Sequence, residues 1–165
     1  MVVCDEPVSA LDLSTQAQVI NLFSALREQT GVSYLFISHD LSVVRHLADK
    51  TVVLYRGQVM EAGPAQDVAD APLHPYTIAL TAASPVIDVD KQQELREQRR
   101  EAIAVRADIP FDVPGCPFSA RCPFTSGVCV STWPRPVPKD ACTVACHLYD
   151  PDSGHPRAGQ GVPAS

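Results

Sequence analysis

The sequence predicts an α/β fold followed by a small loop-rich cysteine segment, and three observations carry that reading. Apolar runs of strand length alternate with stretches of helical periodicity over the first 85 residues. Arg56-Gly57 separates two strand-like runs by a two-residue connection suited to a hairpin. From Pro110 onward, 56 residues hold ten of the fifteen prolines and five of the six cysteines.

The elements follow in order. Met1 to Cys4 is a short apolar run stopped by Asp5-Glu6-Pro7, and it reads as a buried strand ending in two acids. From Ser14 to about Gln29, Val19, Leu22, Phe23 and Leu26 recur at helical spacing. Thr15 and Gln18 have the form of a capping box, and Thr30-Gly31 ends the helix. Ser33 to Ile37 is a second apolar strand, followed at once by Ser38-His39-Asp40. A shorter helix, about Leu41 to Ala48, carries Leu41, Val44 and Leu47 inward. Thr51 to Tyr55 and Gln58 to Glu61 form the hairpin arms, placed at a sheet edge. Short helices at Ala65 to Ala69 and Tyr76 to Ala83 each begin near a proline. Strand-helix-strand-helix order implies parallel pairing. Asp88 to Arg106, charged and proline-free, reads as an exposed helix, and Pro151 to Ser165 as a disordered tail. No internal repeat is read in the chain.

Composition excludes several classes. Hydrophobic residues make up 45% of the 165 and charged residues 19%, with a net charge of -6. A core can be built from that, and no basic field argues for nucleic acid. No apolar run approaches the roughly 18 residues of a membrane span, and no signal-peptide pattern opens the chain.

In an open α/β sheet, ligands bind beyond the carboxyl ends of the strands. Asp5-Glu6 and Ser38-His39-Asp40 both occupy such ends, so they would face one cleft. An acid pair there suits phosphoryl transfer: one carboxylate serves Mg²⁺ and the next orients and deprotonates the attacking water. A neighbouring histidine can hydrogen-bond a phosphate oxygen. Taken singly, Asp5 reads more readily as the start of a turn and His39 as the cap of the helix after it. Their joint placement favours the chemical reading.

These residues carry a family resemblance. Val2-Val3-Cys4-Asp5-Glu6-Pro7 resembles the Walker B strand of an ABC-type ATPase, a P-loop NTPase. Ser9-Ala10-Leu11-Asp12 resembles the D-loop, and Ile37-Ser38-His39-Asp40 the switch-histidine motif. Val53 to Gly63 is similar to the hairpin closing that fold. His74-Pro75-Tyr76-Thr77, with Gly115-Cys116-Pro117-Phe118 and Arg121-Cys122-Pro123, narrows the resemblance to ATP-binding subunits of oligopeptide or dipeptide importers. It covers about Met1 to Leu148. It implies that Asp5 acts on Mg²⁺, that Glu6 is the general base and that His39 contacts the γ-phosphate of ATP. Ser9 and Asp12 would lie in the D-loop, with Asp12 reaching across to a second ATP-binding subunit. The resemblance further implies membrane permease subunits as partners, a peripheral place on the cytoplasmic face of the membrane, and no direct contact with peptide.

The 165 residues contain no G-x-x-x-x-G-K-[ST] loop and no LSGGQ-type signature. Without that phosphate cradle the chain is expected not to hydrolyse ATP by itself, and it reads as the C-terminal part of a subunit. The expected boundaries are an ATPase portion over 1–86, a charged linker over 87–108, a cysteine-rich domain over 109–149 and a tail over 150–165. A free-standing metal or redox module on an ATPase-derived scaffold is the alternative.

Cys116, Cys122, Cys129, Cys142 and Cys146 are separated by five, six, twelve and three residues. Beside ATP these thiols would stay reduced, which disfavours disulfides. No spacing is C-x-x-C, and four thiolates suit either zinc or a four-iron cluster. The resemblance implies a [4Fe-4S] cluster held by Cys116, Cys122, Cys129 and Cys146, with zinc second and Cys142 as a possible substitute. Thiols without metal are the plainer alternative. Cys4 reads as a core residue and Trp133 as a local packing anchor. His46 reads as a surface or packing residue, and His74 as part of a turn. His147 is open to a place around the metal or to solvent, and His155 falls in the expected tail.

Overall fold

The computed structural model describes residues 1–9, 11–83, 108–110 and 112–163. They fall into two compact units, Met1–Asp49 and Lys50–Ser165. The class is mixed α/β, as expected. The helix expected over Asp88 to Arg106 lies outside the described residues.

In the first unit, β1 (Val2–Asp5) runs parallel to β2 (Tyr34–Ile37), with Val3 opposite Leu35 and Asp5 opposite Ile37. Between them runs α1 (Leu13–Thr30). Its start is set by Asp12, whose carboxylate accepts the Ser14 and Thr15 amides at 3.0 Å and the Thr15 hydroxyl at 2.8 Å. The cap is therefore Asp12, one turn's reach earlier than the Thr15–Gln18 box expected. An aspartate before the first turn satisfies two orphan amides at once. The Gly31 amide closes the other end on the Arg27 carbonyl at 2.9 Å.

The buried stripe differs from the expected one. Val19, Ile20, Phe23 and Phe36 pack against Val8, Val43 and Leu47, whereas Leu22 and Leu26 are exposed. Phe23 decides the rotation of α1, because its ring meets Tyr34 and Phe36 edge-on at 5.4 and 4.9 Å. In α2 (Leu41–Leu47), Val43 joins Leu41 and Leu47 inside, in place of Val44. The opposite face of the sheet presents Val3, Leu35 and Ile37, 58, 50 and 49% exposed. A parallel pair ordinarily has both faces covered.

In the second unit, β3 (Lys50–Tyr55) and β4 (Gln58–Pro64) form the expected hairpin. Arg56 and Gly57 both have positive φ, 51 and 77°, which gives the turn the twist of the strands. The hairpin does not finish an edge of the β1–β2 sheet. It belongs to a separate antiparallel sheet of order β3-β4-β6-β5, in which β6 (Cys142–Ala145) pairs with β4 at Glu61 and Ala62. β5 (Pro136–Lys139) takes the outer edge, the one place where prolines lose no ladder bond. The cysteine segment thus joins the hairpin's sheet through β6.

α3 (Ala65–Asp70) and α4 (Pro75–Thr81) follow the hairpin. A 3₁₀ turn (Ser119–Arg121) and α5 (Gly127–Ser131) frame the cysteines. Met60, Ala79, Cys116, Phe118 and Cys122 make one buried cluster, against which Tyr55, Tyr76, Phe124 and Trp133 pack. Residues 151–163, expected to be a disordered tail, form turns instead. The Gly161 amide bonds to the Leu148 carbonyl at 2.9 Å, and Val162 packs beside Leu148. His155 is buried, with Nε2 donating to the Phe124 carbonyl at 2.8 Å.

Candidate functional site

In the first unit, Asp5 ends β1 and Glu6 turns the chain away. Glu6 has a φ of 44°, a left-handed conformation that costs a non-glycine residue about 1 kcal/mol. Its amide still bonds to the Ile37 carbonyl at 2.9 Å, so β1 and β2 end together. That common end brings Glu6 Oε1 to 3.0 Å from His39 Nδ1. The carboxylate accepts, so Nδ1 carries a proton and Nε2 is directed elsewhere on the ring. Both side chains are substantially exposed, 50 and 71%. Ser9 donates its hydroxyl to the Glu6 carbonyl at 3.1 Å and so braces the strained turn. Asp12 lies after this loop; the Thr15 amide and hydroxyl hold its carboxyl below the usual range. The acid and histidine separated by 33 positions in sequence are therefore neighbours, as a pair of strand ends in one parallel sheet requires.

In the second unit, Cys116, Cys122, Cys129 and Cys146 line one cavity with His74, Pro75, Ser119, Phe124, Pro134, His147 and Leu148. All six cysteines of the chain are free thiols. The amide of Phe118 lies near the Cys116 thiol, that of Phe124 near Cys122 and that of Leu148 near Cys146, while the Ser119 amide donates to the Cys116 carbonyl at 3.0 Å. Amides aimed at sulfur favour the thiolate, but burial wins. It pushes Cys116 up to about 11 and Cys146 up to about 12, and Cys122 higher still, with the neighbouring thiols adding to the rise. Bare thiolates are disfavoured there, and a cation would remove that penalty. Cys129 differs: it is half-buried and faces the Ser126 hydroxyl at 3.6 Å. Among the described residues, no three His, Cys, Asp or Glu side chains are grouped so as to hold a metal ion.

Cys142, a possible stand-in for Cys146, lies elsewhere. It packs with Val53 and Val68, against Gly63, and does not line the cavity. β6 separates the two thiols, with Cys142 at its start and Cys146 just past its end.

Two features of this unit went unread in the sequence. Cys116-Pro117-Phe118-Ser119 recurs six residues on as Cys122-Pro123-Phe124-Thr125 and signals two matching turns, with the Ser119 and Thr125 amides on the Cys116 and Cys122 carbonyls at 3.0 and 3.3 Å. Glu61 is fully buried, and its carboxylate accepts the Leu73 and His74 amides at 2.9 and 2.8 Å. It thereby ties β4 to the start of α4 beside the cavity. Nothing in the local sequence marks Glu61 as buried. His74, also buried, accepts the Tyr76 amide on Nδ1 at 3.0 Å, and desolvation pushes its pKa down to about 3. His147 is buried rather than solvent-facing, its Nε2 donating to the Thr132 carbonyl at 2.9 Å.

A family profile described as "Oligopeptide/dipeptide transporter, C-terminal region" matches residues 60–129, from β4 through Cys129. The chain belongs with the C-terminal part of the ATP-binding subunits of oligopeptide and dipeptide transporters. It is 42% identical over 160 residues to the "Dipeptide transport ATP-binding protein DppF" of Escherichia coli, covering 95% of this chain and 46% of the relative. To the "Oligopeptide transport ATP-binding protein AppF" of Bacillus subtilis it is 44% identical over 155 residues, 90% of this chain and 45% of the relative. To the "Oligopeptide transport ATP-binding protein OppF" of Salmonella typhimurium it is 42% identical over 154 residues, 92% of this chain and 45% of the relative. The chain spans about half the length of these relatives. The similarity runs through both units, so a free-standing metal module on a borrowed scaffold finds no support. Among the described residues, no helix is long and apolar enough to cross a membrane.

Proposed function

We propose that the chain supplies the hydrolysis residues of an ABC importer's ATP-binding subunit, coupling ATP hydrolysis to oligopeptide or dipeptide uptake. The observation that carries this is the 3.0 Å bond between Glu6 and His39 at paired strand ends. Asp5 acts on the Mg²⁺ of Mg-ATP. Glu6 orients and deprotonates the attacking water, and His39, held by Glu6 through Nδ1, offers Nε2 to the γ-phosphate. Ser9 fixes the turn that aims Glu6. Asp12 orders the loop presented to a second ATP-binding subunit, since its carboxylate already caps α1. Membrane permease subunits are the further partners, at the cytoplasmic face of the membrane, and the chain does not touch peptide. The phosphate-binding loop must come from outside these 165 residues, which contain none.

The cysteine cavity is proposed as the site of a [4Fe-4S] cluster on Cys116, Cys122, Cys129 and Cys146. The donor set supports it: four thiols on one cavity, three of them with backbone amides nearby that favour the thiolate. A single zinc, the second choice, draws its thiolates to roughly 2.3 Å from one point. When bound, such a group would clamp four points of a loop-rich segment and add folding energy.

The test of the hydrolysis reading is a chimera in which residues 1–148 replace the matching stretch of the Escherichia coli DppF subunit. Glu6→Gln should leave ATP binding intact and lower turnover by at least 100-fold, with His39→Ala also strongly impaired. A chimera that binds ATP and turns it over equally with Gln at position 6 would sink the reading.

A further inference from the structure

The side chain of His39 is 71% exposed, so packing does little to set its direction. Where the ring points depends on the Glu6 carboxylate at 3.0 Å and on the backbone that carries the histidine. On the Glu6 side the backbone is tied twice: the Glu6 amide donates to the Ile37 carbonyl, and the Ser9 hydroxyl to the Glu6 carbonyl. On the histidine side, three residues, Ser38 to Asp40, join the end of β2 to the start of α2.

Within that link the Ser38 hydroxyl accepts the Asp40 amide at 3.0 Å. The hydrogen-bonded ring so closed contains the N–Cα and Cα–C bonds of His39, the two soft torsions that aim its side chain. The Asp40 carbonyl in turn accepts the Val44 amide at 3.4 Å, which opens α2. Ser38 is half-buried, which limits the water able to replace its bond. A serine bonded to the amide two positions on ordinarily does no more than shape a turn before a helix. Here the residue it spans is the one that reaches Glu6.

We propose that Ser38 is a positioning residue of the hydrolysis site, its hydroxyl fixing the backbone of His39 so that Nδ1 stays on Glu6. This rests on the hydrolysis reading above. Ser38 acts through His39 and is assigned no contact with nucleotide. A neutral imidazole carries one proton, and the hydrogen bond made at one nitrogen decides where it resides. The Glu6 carboxylate selects Nδ1, so the site of that proton reports how firmly His39 is aimed.

Proton–nitrogen correlation spectra of the full 165-residue chain, labelled at histidine, measure that site at alkaline pH, with His39→Ala identifying the His39 signals. Glu6→Ala marks the value for a ring without its partner. Ser38→Ala should move the Nδ1-protonated fraction toward that value, and Ser38→Thr, which keeps the hydroxyl, should restore it. In the DppF chimera, Ser38→Ala should lower kcat roughly threefold to tenfold, the range a single hydrogen bond spans, with KM for ATP unchanged. In a His39→Ala background it should add nothing. A wild-type Nδ1 fraction in Ser38→Ala would overturn the proposal, even if melting temperature or turnover fell. A loss of kcat that persists in His39→Ala would overturn it too. Equal turnover with Gln at position 6 would instead overturn the hydrolysis reading, and the spectra would then decide the hold of Ser38 on His39 separately.

Discussion

The amide of Cys116 donates to the carbonyl of Cys129 at 2.8 Å, so two thiols thirteen positions apart share a backbone bond before any metal is considered. The preceding amide, that of Gly115, reaches the Val130 carbonyl at 3.1 Å. At this crossing Gly115 leaves no room for a side chain: a Cβ would overlap the Cys129 carbonyl and the Val130 backbone.

Gly115→Ala should therefore be among the most damaging single-methyl changes in the chain. Backbone, not a flexible side chain, blocks the space, so the two chain segments of this crossing must part. A loss of about 2 kcal/mol or more is expected, at the upper end for overpacking. Thermal melts of the two proteins, with metal content measured alongside, check it. Equal melting temperatures would show that the crossing yields without cost.

Cys142→Ala should leave metal content unchanged, because Cys142 sits among Val53 and Val68 and away from the cavity. Cys146→Ala should lower it sharply. Cys142→Ser places a hydroxyl in an apolar cluster and should cost about 1–3 kcal/mol. Metal loss in Cys142→Ala equal to that in Cys146→Ala would restore Cys142 as a ligand.

Acid should weaken the second unit through His74. Its folded pKa is depressed to about 3 from 6.5 by burial. The unfolded chain therefore binds the proton more readily between those values. The stability from keeping His74 neutral is complete above about pH 6.5 and is lost as pH falls toward 3, with a limiting slope near 1.4 kcal/mol per pH unit. Glu61, raised by burial, acts in the opposite sense above pH 4.5, favouring the folded state while it is protonated. Comparison with His74→Asn, which can still accept the Tyr76 amide, isolates the histidine. Denaturant melts from pH 7 to 4 should show a flatter profile in the variant, and parallel profiles would contradict the assignment.

The turns after Pro151 should resist proteolysis. The Tyr149 hydroxyl donates to the Leu73 carbonyl at 3.0 Å and accepts the Val162 amide at 3.4 Å, which anchors the segment at both ends. Arg135 grips the buried Asp150 with two hydrogen bonds, 2.7 and 2.8 Å, at its start. Removal of 151–165 should lower the melting temperature by several degrees. Cleavage there as fast as in an unfolded control would return the segment to a tail.

The parts legible from sequence are those whose signal is local. β1, α1, β2, α2 and the hairpin announce themselves by period, and the Glu6–His39 pairing follows from two strand ends in parallel. The rotation of α1 was not legible, because Leu22 and Leu26 are as apolar as Val19 and Phe23. Only the rings of Tyr34 and Phe36 across the sheet choose among them. Nor were β5 and β6. Pro136 and Pro138 mark a segment as irregular unless it lies on an edge, and the edge exists only once β4 accepts β6. The burial of His147, Glu61 and Ser119 is set wholly by partners distant in sequence.

The shared strand β4 makes the hairpin a remote gauge of the cysteine wall. β6 ends at Ala145, one residue before Cys146, and lies on β4 at Glu61 and Ala62. A rearrangement at that sulfur has a single peptide to cross before it meets a ladder bond. Hydrogen-exchange protection at positions 61 and 62 would then report on the state of a thiol that no probe need touch.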